Sequence, residues 1–463
     1  MSTAAQVETM TAADPRAVPG PRGLPLLGVA RELLVDPFTL IERCTVEYGG
    51  MVRLPLPGRS AFLLSDPELV KFALLETERA VRKPPSMIKR VHLALGLGLV
   101  TSEGDLWRRN RRIANPVFTR ERLRAMEPQI RQAAQETVDR WQGKTVIDLK
   151  EEFSRTLLEL VIRGLFDASS IDRFDDIAAS LLELLRFTVK MFVSAMPPHM
   201  YFPTPTRLRA EFHRRRFDRI VADMIAARRA AGVQHEDVLA FFMDAVDDHT
   251  GEKLTVEEIA DEVRTMFLAG YETTATALVF ACRLVAEHPL VRDRLEAELD
   301  SVLGGRMPGI EDLHRLPYTV QVFHEALRLY PPAWLIGREM AETAEVGGYL
   351  LPKGTLMFVS PWATHRSPHN WESPLSFDPD RFAAENRDRY HKFAFIPFGG
   401  GSRKCIGTNL AMLEGPILLA AVAQHYRLEM LPGERLVMHG GVTLNIESGT
   451  RMAVRPRRRE LAG

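Results

Sequence analysis

Cysteine is scarce in this chain: three in 463 residues, at Cys44, Cys282 and Cys405. They lie far apart and form no CxxC pair. That excludes a disulfide framework and a sulfur-rich zinc site, and it suits a reducing cytosol. A net charge of either sign is also missing, because 60 Lys and Arg offset 60 Asp and Glu. A balanced chain is not a general polyanion binder, so no nucleic-acid partner is expected. Long apolar runs are missing too: no stretch approaches the ~18 residues that a membrane span needs. Met1 to Val18 is small and polar, with neither the basic start nor the apolar segment of a secretory leader. Residues 1–18 are therefore expected to be disordered and the protein to be cytoplasmic. Repeats and low-complexity linkers are absent, so 19–463 reads as one domain, although length alone allows two or three.

What is present is an ordinary globular composition, 46% apolar and 26% charged. Pro19 to Pro25 is a stiff Pro/Gly segment, neither helix nor strand. Met51 to Leu56 and Ser60 to Leu64 flank Pro57-Gly58 and predict a β-hairpin. Ser65-Asp66-Pro67 predicts a helix start. Helical patterns dominate from Thr119 to His288, with the arginines of Arg207 to Arg229 read as a solvated face. Thr255-Val256-Glu257-Glu258 is a capping box. The helix it opens can run to His288, ~33 residues or ~50 Å. Another helix begins near Pro317 and stops before Pro331-Pro332. Gly348 to Thr355 reads as strand, turn and strand, and Ser367 to Phe398 has almost no periodic signal, which marks a functional stretch. A last helix begins beyond Cys405, where Pro416 is expected to disturb the first turns. The fold class is mainly α with a small β-rich region.

Four groups of residues carry candidate chemistry. Phe398-Gly399-Gly400-Gly401-Ser402-Arg403-Lys404-Cys405-Ile406-Gly407 sets one cysteine on a glycine-rich turn before a helix. Glycines let backbone approach a flat ligand. A helix N-terminus stabilises a thiolate, and a thiolate on haem iron favours O–O cleavage. Taken alone, Cys405 also reads as a small buried hydrophobe, the usual fate of a lone cysteine. A phosphate loop fits poorly, since no Lys-Ser/Thr pair follows the last glycine. In Phe267-Leu268-Ala269-Gly270-Tyr271-Glu272-Thr273-Thr274, glycine costs ~1 kcal/mol against alanine and needs a reason. Threonines can open the helix locally, and an acid beside a hydroxyl can relay protons. A buried helix with a tolerated glycine is the plainer alternative. Glu325 and Arg328 share a helix face, and Trp107 and Arg111, four apart, are suitable donors to an anion.

Together these segments resemble the cytochrome P450 family. The cysteine turn matches FxxGxRxCxG at Phe398, Gly401, Arg403, Cys405 and Gly407, and Ala411 and Glu414 continue it. Ala269 to Thr274 matches AGx[DE]TT. Glu325 to Arg328 matches ExxR, Phe377 to Phe382 matches FxPxRF, and Trp107 to Arg111 matches WxxxR. The resemblance covers nearly the whole chain beyond Val18. It implies the cytochrome P450 fold around haem b (iron-protoporphyrin IX), with Cys405 as the iron ligand. It implies Trp107, Arg111, Arg338 and Arg403 as partners of the haem propionates, Phe398 beside the sulfur, Gly407 as a further cofactor-binding residue, and Ala269 and Gly270 over the haem. Glu272 and Thr273 are implied as the catalytic residues that supply protons during O2 activation, Thr274 having a weaker claim. Glu325, Arg328 and Arg381 are implied as a structural network. The implied activity is monooxygenation of an apolar small molecule: hydroxylation or epoxidation, tailoring a terpene or a polyketide or macrolactam. Fatty-acid hydroxylation is the alternative substrate class. A peroxide-driven peroxygenase is disfavoured, because Glu272 and Thr273 are intact. A non-catalytic haem-binding sensor is the alternative of another class. Electrons are expected from a separate ferredoxin and an NAD(P)H-dependent ferredoxin reductase, docking on Arg108, Arg109, Arg112 and Lys404, and the protein is expected to be a monomer. Substrate contacts are implied in a loop near Met87 to Val100, around Phe187 to Phe202, at Phe267 and Leu268, at Ala333 to Ile336, and near Thr443-Leu444, with Phe187 to Pro205 as a mobile hydrophobic lid.

Overall fold

Proline sets where many helices begin, because its fixed φ suits the first turn and its missing N–H costs nothing there. The computed structural model describes residues 13–76, 79–166, 174–193, 202–232 and 237–457. Its helices are α1 (Ala30–Val35), α2 (Pro37–Tyr48), α3 (Pro67–Leu75), α4 (Pro85–Leu95), α5 (Gly104–Ala114), α6 (Arg120–Ala125), α7 (Glu127–Trp141), α8 (Leu149–Phe166), α9 (Phe174–Val193), α10 (Pro205–Ala231), α11 (Val238–Asp244), α12 (Val256–Glu287), α13 (Pro289–Leu303), α14 (Pro317–Leu329), α15 (Pro361–Arg366) and α16 (Thr408–His425). Strands β1 (Met51–Leu56), β2 (Arg59–Leu64), β3 (Val81–Arg82), β5 (Ile336–Met340) and β8 (Leu356–Val359) form one sheet in the order β1-β2-β8-β5-β3. β4 (Val146–Asp148), β9 (Tyr426–Met430) and β12 (Arg451–Pro456) form a second sheet. β6 (Ala344–Val346) pairs with β7 (Tyr349–Leu351), and β10 (Val437–Gly440) with β11 (Leu444–Ser448). The molecule is mainly α with small sheets, as expected.

α12 is the axis. Thr255 and Glu258 close the predicted capping box, and the helix runs 32 residues, most of them buried. It packs against α8, α10, α14 and α16, so its flanks are covered by helices. Three sequence expectations need revision. Residues 13–18 are packed, not free: Ala13 bridges to Tyr349, and Val18 is 2% exposed in a small core with Phe62 and Met357. α16 is continuous through Pro416. The residue before it, Gly415, lies against the Phe323 ring of α14, where a Cβ would come within 2.1 Å. The arginines of α10 are less solvated than expected: Arg214 pairs with Asp218, and Arg228 is buried with Asp237 and the Phe166 carbonyl.

The aperiodic stretch 367–398 is held by one buried guanidinium. Arg328 and Glu325 are both fully buried and paired through two hydrogen bonds of 2.7 and 2.8 Å. The remaining Arg328 donors go to the carbonyls of His365, Pro374 and Ser376. All five guanidinium N–H groups are thereby used, which a buried arginine requires. Arg381 completes the network, reaching Glu325 at 3.3 Å and the Ser373 carbonyl at 2.8 Å.

Candidate active site

Cys405 sits between α14's partner loop and α16. Gly399 and Gly401 both take φ of +66°, and a Cβ on Gly401 would meet the Leu74 carbonyl oxygen at 2.1 Å, so glycine is required there. The Cys405 N–H donates to the Phe398 carbonyl (2.9 Å), and the Thr408 hydroxyl donates to the Cys405 carbonyl (2.7 Å). The turn is thus fixed by its own backbone. Among the three cysteines, Cys44 and Cys282 are buried and Cys405 is exposed. Desolvation pushes all three thiols up, Cys44 to about 11 and Cys282 to about 12. Only Cys405 has a helix-side N–H (Gly407) and two cations, Arg111 and Lys404, pulling back toward the thiolate. The net shift of Cys405 is still upward, so these groups favour its thiolate only relative to the other two cysteines.

A cluster of cations lies beside this turn. The Arg403 guanidinium stacks 3.5 Å over the Trp107 ring and bonds Glu103 at 3.0 Å. Arg338 is 6% exposed, and its Nε has no partner among the described residues. Burial and the neighbouring Arg403 charge push Arg338 down to about 10. Lys83 joins them: its ammonium donates to the carbonyls of Leu99, Val100 and Ser102 and lies 3.8 Å from Glu103. Burial, then repulsion from Arg403, lowers Lys83 to about 7. Three buried cations repelling one another around a single exposed-side acid, with an orphaned guanidinium nitrogen, fit a dianionic ligand such as the two haem propionates. Lys83 escaped sequence reasoning. Its signal is a lysine fixed by the following Pro84-Pro85. Arg111 has no hydrogen bond or ion pair among the described residues, and its charge acts on the Cys405 thiol. Trp107, Arg338 and Arg403 are therefore brought together, and Arg111 stands with Cys405.

On α12, Ala269 is exposed in the middle of a buried helix, and Thr273, one turn on, donates to its carbonyl at 2.8 Å. The two share a face. Gly270 instead faces α8, where a Cβ would touch Val161 at 3.5 Å. Glu272 accepts a hydrogen bond from Thr443 at 3.2 Å, and burial pushes its carboxyl above the usual range. Of the implied substrate contacts, Met87 to Leu95 is helix α4 and not a loop, started by Pro85 and stopped at Gly96 (φ +68°). Arg90 ties it to the Met191 carbonyl of α9. Residues 194–201 of the implied lid lie outside the described residues. The expected docking arginines are internally compensated: Arg108 by Asp105, Arg109 by Glu252 and Glu258, Arg112 by the buried Asp247.

Comparison with known proteins agrees along the whole chain. The family model "Cytochrome P450" matches residues 18–448. Cyclooctatin synthase of Streptomyces melanosporofaciens is 35% identical over 421 residues, 90% of this chain and 91% of that protein. Cyclooctat-9-en-7-ol 5-monooxygenase of the same organism is 32% identical, covering 90% of each chain. Pentalenene oxygenase of Streptomyces avermitilis is 32% identical, covering 89% of this chain and 91% of that one. The crystal structure of the cytochrome P450DA heme domain superposes with a TM-score of 0.86 at 27% identity, covering 96% of this chain and 98% of that one. A likeness that holds in sequence and in fold over about nine tenths of the chain means that this protein belongs to the cytochrome P450 family of monooxygenases.

Proposed function

We propose that this protein binds haem b through Cys405 and hydroxylates a cyclic terpene, using electrons from a separate ferredoxin and its reductase in the cytoplasm. The observation that carries the substrate reading is the likeness, over 90% of this chain, to an enzyme named for cyclooctat-9-en-7-ol, supported by the likeness to pentalenene oxygenase. No single helix among the described residues is long and apolar enough to cross a membrane.

Haem on a thiolate supplies the oxygen activation. The residues of the chain do the rest. Cys405 would be the ligand; burial raises its thiol, and Arg111, Lys404 and the Gly407 N–H oppose that rise. Arg338 and Arg403 would take the propionates, with Trp107 stacked behind Arg403 and the Lys83 charge beside them. Phe398 fixes the turn through its carbonyl, and a Cβ on Gly407 would stand 3.9 Å from the Cys405 sulfur. Ala269 keeps its face of α12 open, while Gly270 faces α8, with room for a Cβ against Val161 at 3.5 Å. Thr273 presents its hydroxyl on that open face. Glu272, whose raised carboxyl holds and releases protons nearer neutral pH, supplies them.

The purified protein should give a thiolate-type Soret band as its ferrous–CO complex. With NADPH, ferredoxin and reductase it should convert a cyclic terpene alcohol or hydrocarbon to a product heavier by one oxygen. Substrate-induced spin-state shifts rank the panel. A shift with long-chain fatty acids and none with terpenes would replace the terpene reading by fatty-acid hydroxylation. Absence of NADPH-coupled O2 use with any of them would point to a sensor.

A further inference from the structure

Glu272 and Thr273 are adjacent in sequence, yet the structure gives them different partners. Side chains one apart on a helix do not share a face. The Thr273 hydroxyl bonds back to the Ala269 carbonyl at 2.8 Å. The Glu272 carboxylate instead accepts from the Thr443 hydroxyl at 3.2 Å, across 171 residues of sequence.

Thr443 stands in the turn between β10 and β11, and this turn is pinned on three sides. Trp334 Nε1 donates to the Gly441 carbonyl at 3.1 Å, and the Gly441 N–H donates to the Thr443 carbonyl at 3.0 Å. The Leu444 N–H donates to the Pro332 carbonyl at 2.8 Å. A Cβ on Gly440 would come within 2.6 Å of Pro37 and Trp334, so the turn lies flat on that tryptophan. Its hydroxyl is offered from a fixed position. One strand further, Lys150 at the start of α8 donates to Asn445 Oδ1 and to the Ile446 carbonyl, and its charge favours the ionised Glu272. The other titratable neighbour is Tyr271 on α12, on which the charges of Glu272 and of Arg186 from α9 both act.

We propose that Thr443 is a positioning residue for Glu272, a latch that holds the ionised carboxylate at the β10–β11 turn, off the Ala269–Thr273 face, and lets it go when it is protonated. The physics is a difference between two charge states. A hydroxyl donor and a nearby ammonium both favour the charged carboxylate, whereas burial favours the neutral acid. The ionised form is therefore anchored near Lys150, and the protonated form loses most of that anchorage and is free to turn toward Thr273. A carrier that reloads at one place and discharges at another needs such a switch. The inference rests on the reading of Glu272 as the proton supplier.

The test is an infrared pH titration of the holoenzyme, with Glu272→Gln identifying the carboxyl band that belongs to Glu272. Thr443→Val should move its midpoint up by about one pH unit or more, the effect of losing a hydrogen bond to a charged group. Thr443→Ser should titrate as the parent does. Should the valine variant not fold, Thr443→Ala serves for the same comparison. In turnover with ferredoxin, Val should divert several-fold more electrons to peroxide, and Ser should restore coupling. An unchanged midpoint in Val or Ala overturns the latch. A raised midpoint with normal coupling in Val and in Glu272→Gln supports the latch geometry and removes the proton-supplying role of Glu272, so the two failures are told apart.

Discussion

At the scale of single residues, the difference among the three cysteines decides the chemistry. Cys44 and Cys282 are buried thiols in apolar surroundings, and Cys405 is exposed beside two cations. Cys405→Ser should abolish monooxygenase activity and the thiolate-type ferrous–CO band, while Cys44→Ala and Cys282→Ala keep both; a retained band in Cys405→Ser would refute ligation by that sulfur. Lys83 carries a second prediction. In the protein it titrates at about 7, lowered first by burial and then by Arg403 and Arg338. An anion placed beside it favours its charged form. Haem binding should therefore take up a proton at this lysine above pH 7, and haem retention should weaken as pH rises beyond 7. Proton uptake on adding haem in weak buffer, measured as parent minus Lys83→Met, checks this; no difference above pH 7 would place the propionates elsewhere.

At the scale of elements, the join between α14 and the cysteine turn runs through one histidine. His365 is fully buried, with Nδ1 bonded to the Arg328 carbonyl (3.1 Å) and Nε2 accepting the Ile396 N–H (2.8 Å). One ring nitrogen must donate and the other accept, which is the neutral imidazole. Burial pushes His365 down to about 3, with the Arg328 charge adding to it. A histidine held below its ordinary ~6.5 stabilises the fold above that pH and loses the contribution as pH falls through 6.5 toward 3. The unfolding free energy lost in His365→Gln should accordingly be smaller at pH 5 than at pH 7.5, by about 1–2 kcal/mol. Chemical unfolding of parent and variant at both pH values measures it, and a constant loss would show that the ring is not held neutral.

At the scale of the whole molecule, the balanced charge of the chain is met by many local ion pairs among the described residues. Arg108, Arg109 and Arg112 of α5 are matched by acids of the same chain, leaving Lys404 as the member of the expected docking face with no ion pair among the described residues. Reduction by ferredoxin should then fall by no more than about threefold between low and high salt, since paired charges steer little. A steep fall in stopped-flow reduction rates would locate an uncompensated basic patch elsewhere. Much of this protein was legible in its sequence. Helix starts were visible at Asp66-Pro67, Thr255 and Pro317 because caps and prolines act within a few residues. Cys405, Arg403, Glu325, Arg328 and Thr273 were visible because their spacing within single segments is itself the signal. The tertiary structure alone decided what depends on distant segments meeting. It put Lys83 among the cations of the site, set the Arg111 charge to act on the sulfur, turned Gly270 toward α8, neutralised Arg108, Arg109 and Arg112, and gave Glu272 to Thr443. Local backbone preference is written into neighbouring residues, but electrostatic partners are chosen by packing, and packing joins residues that the sequence holds hundreds of positions apart.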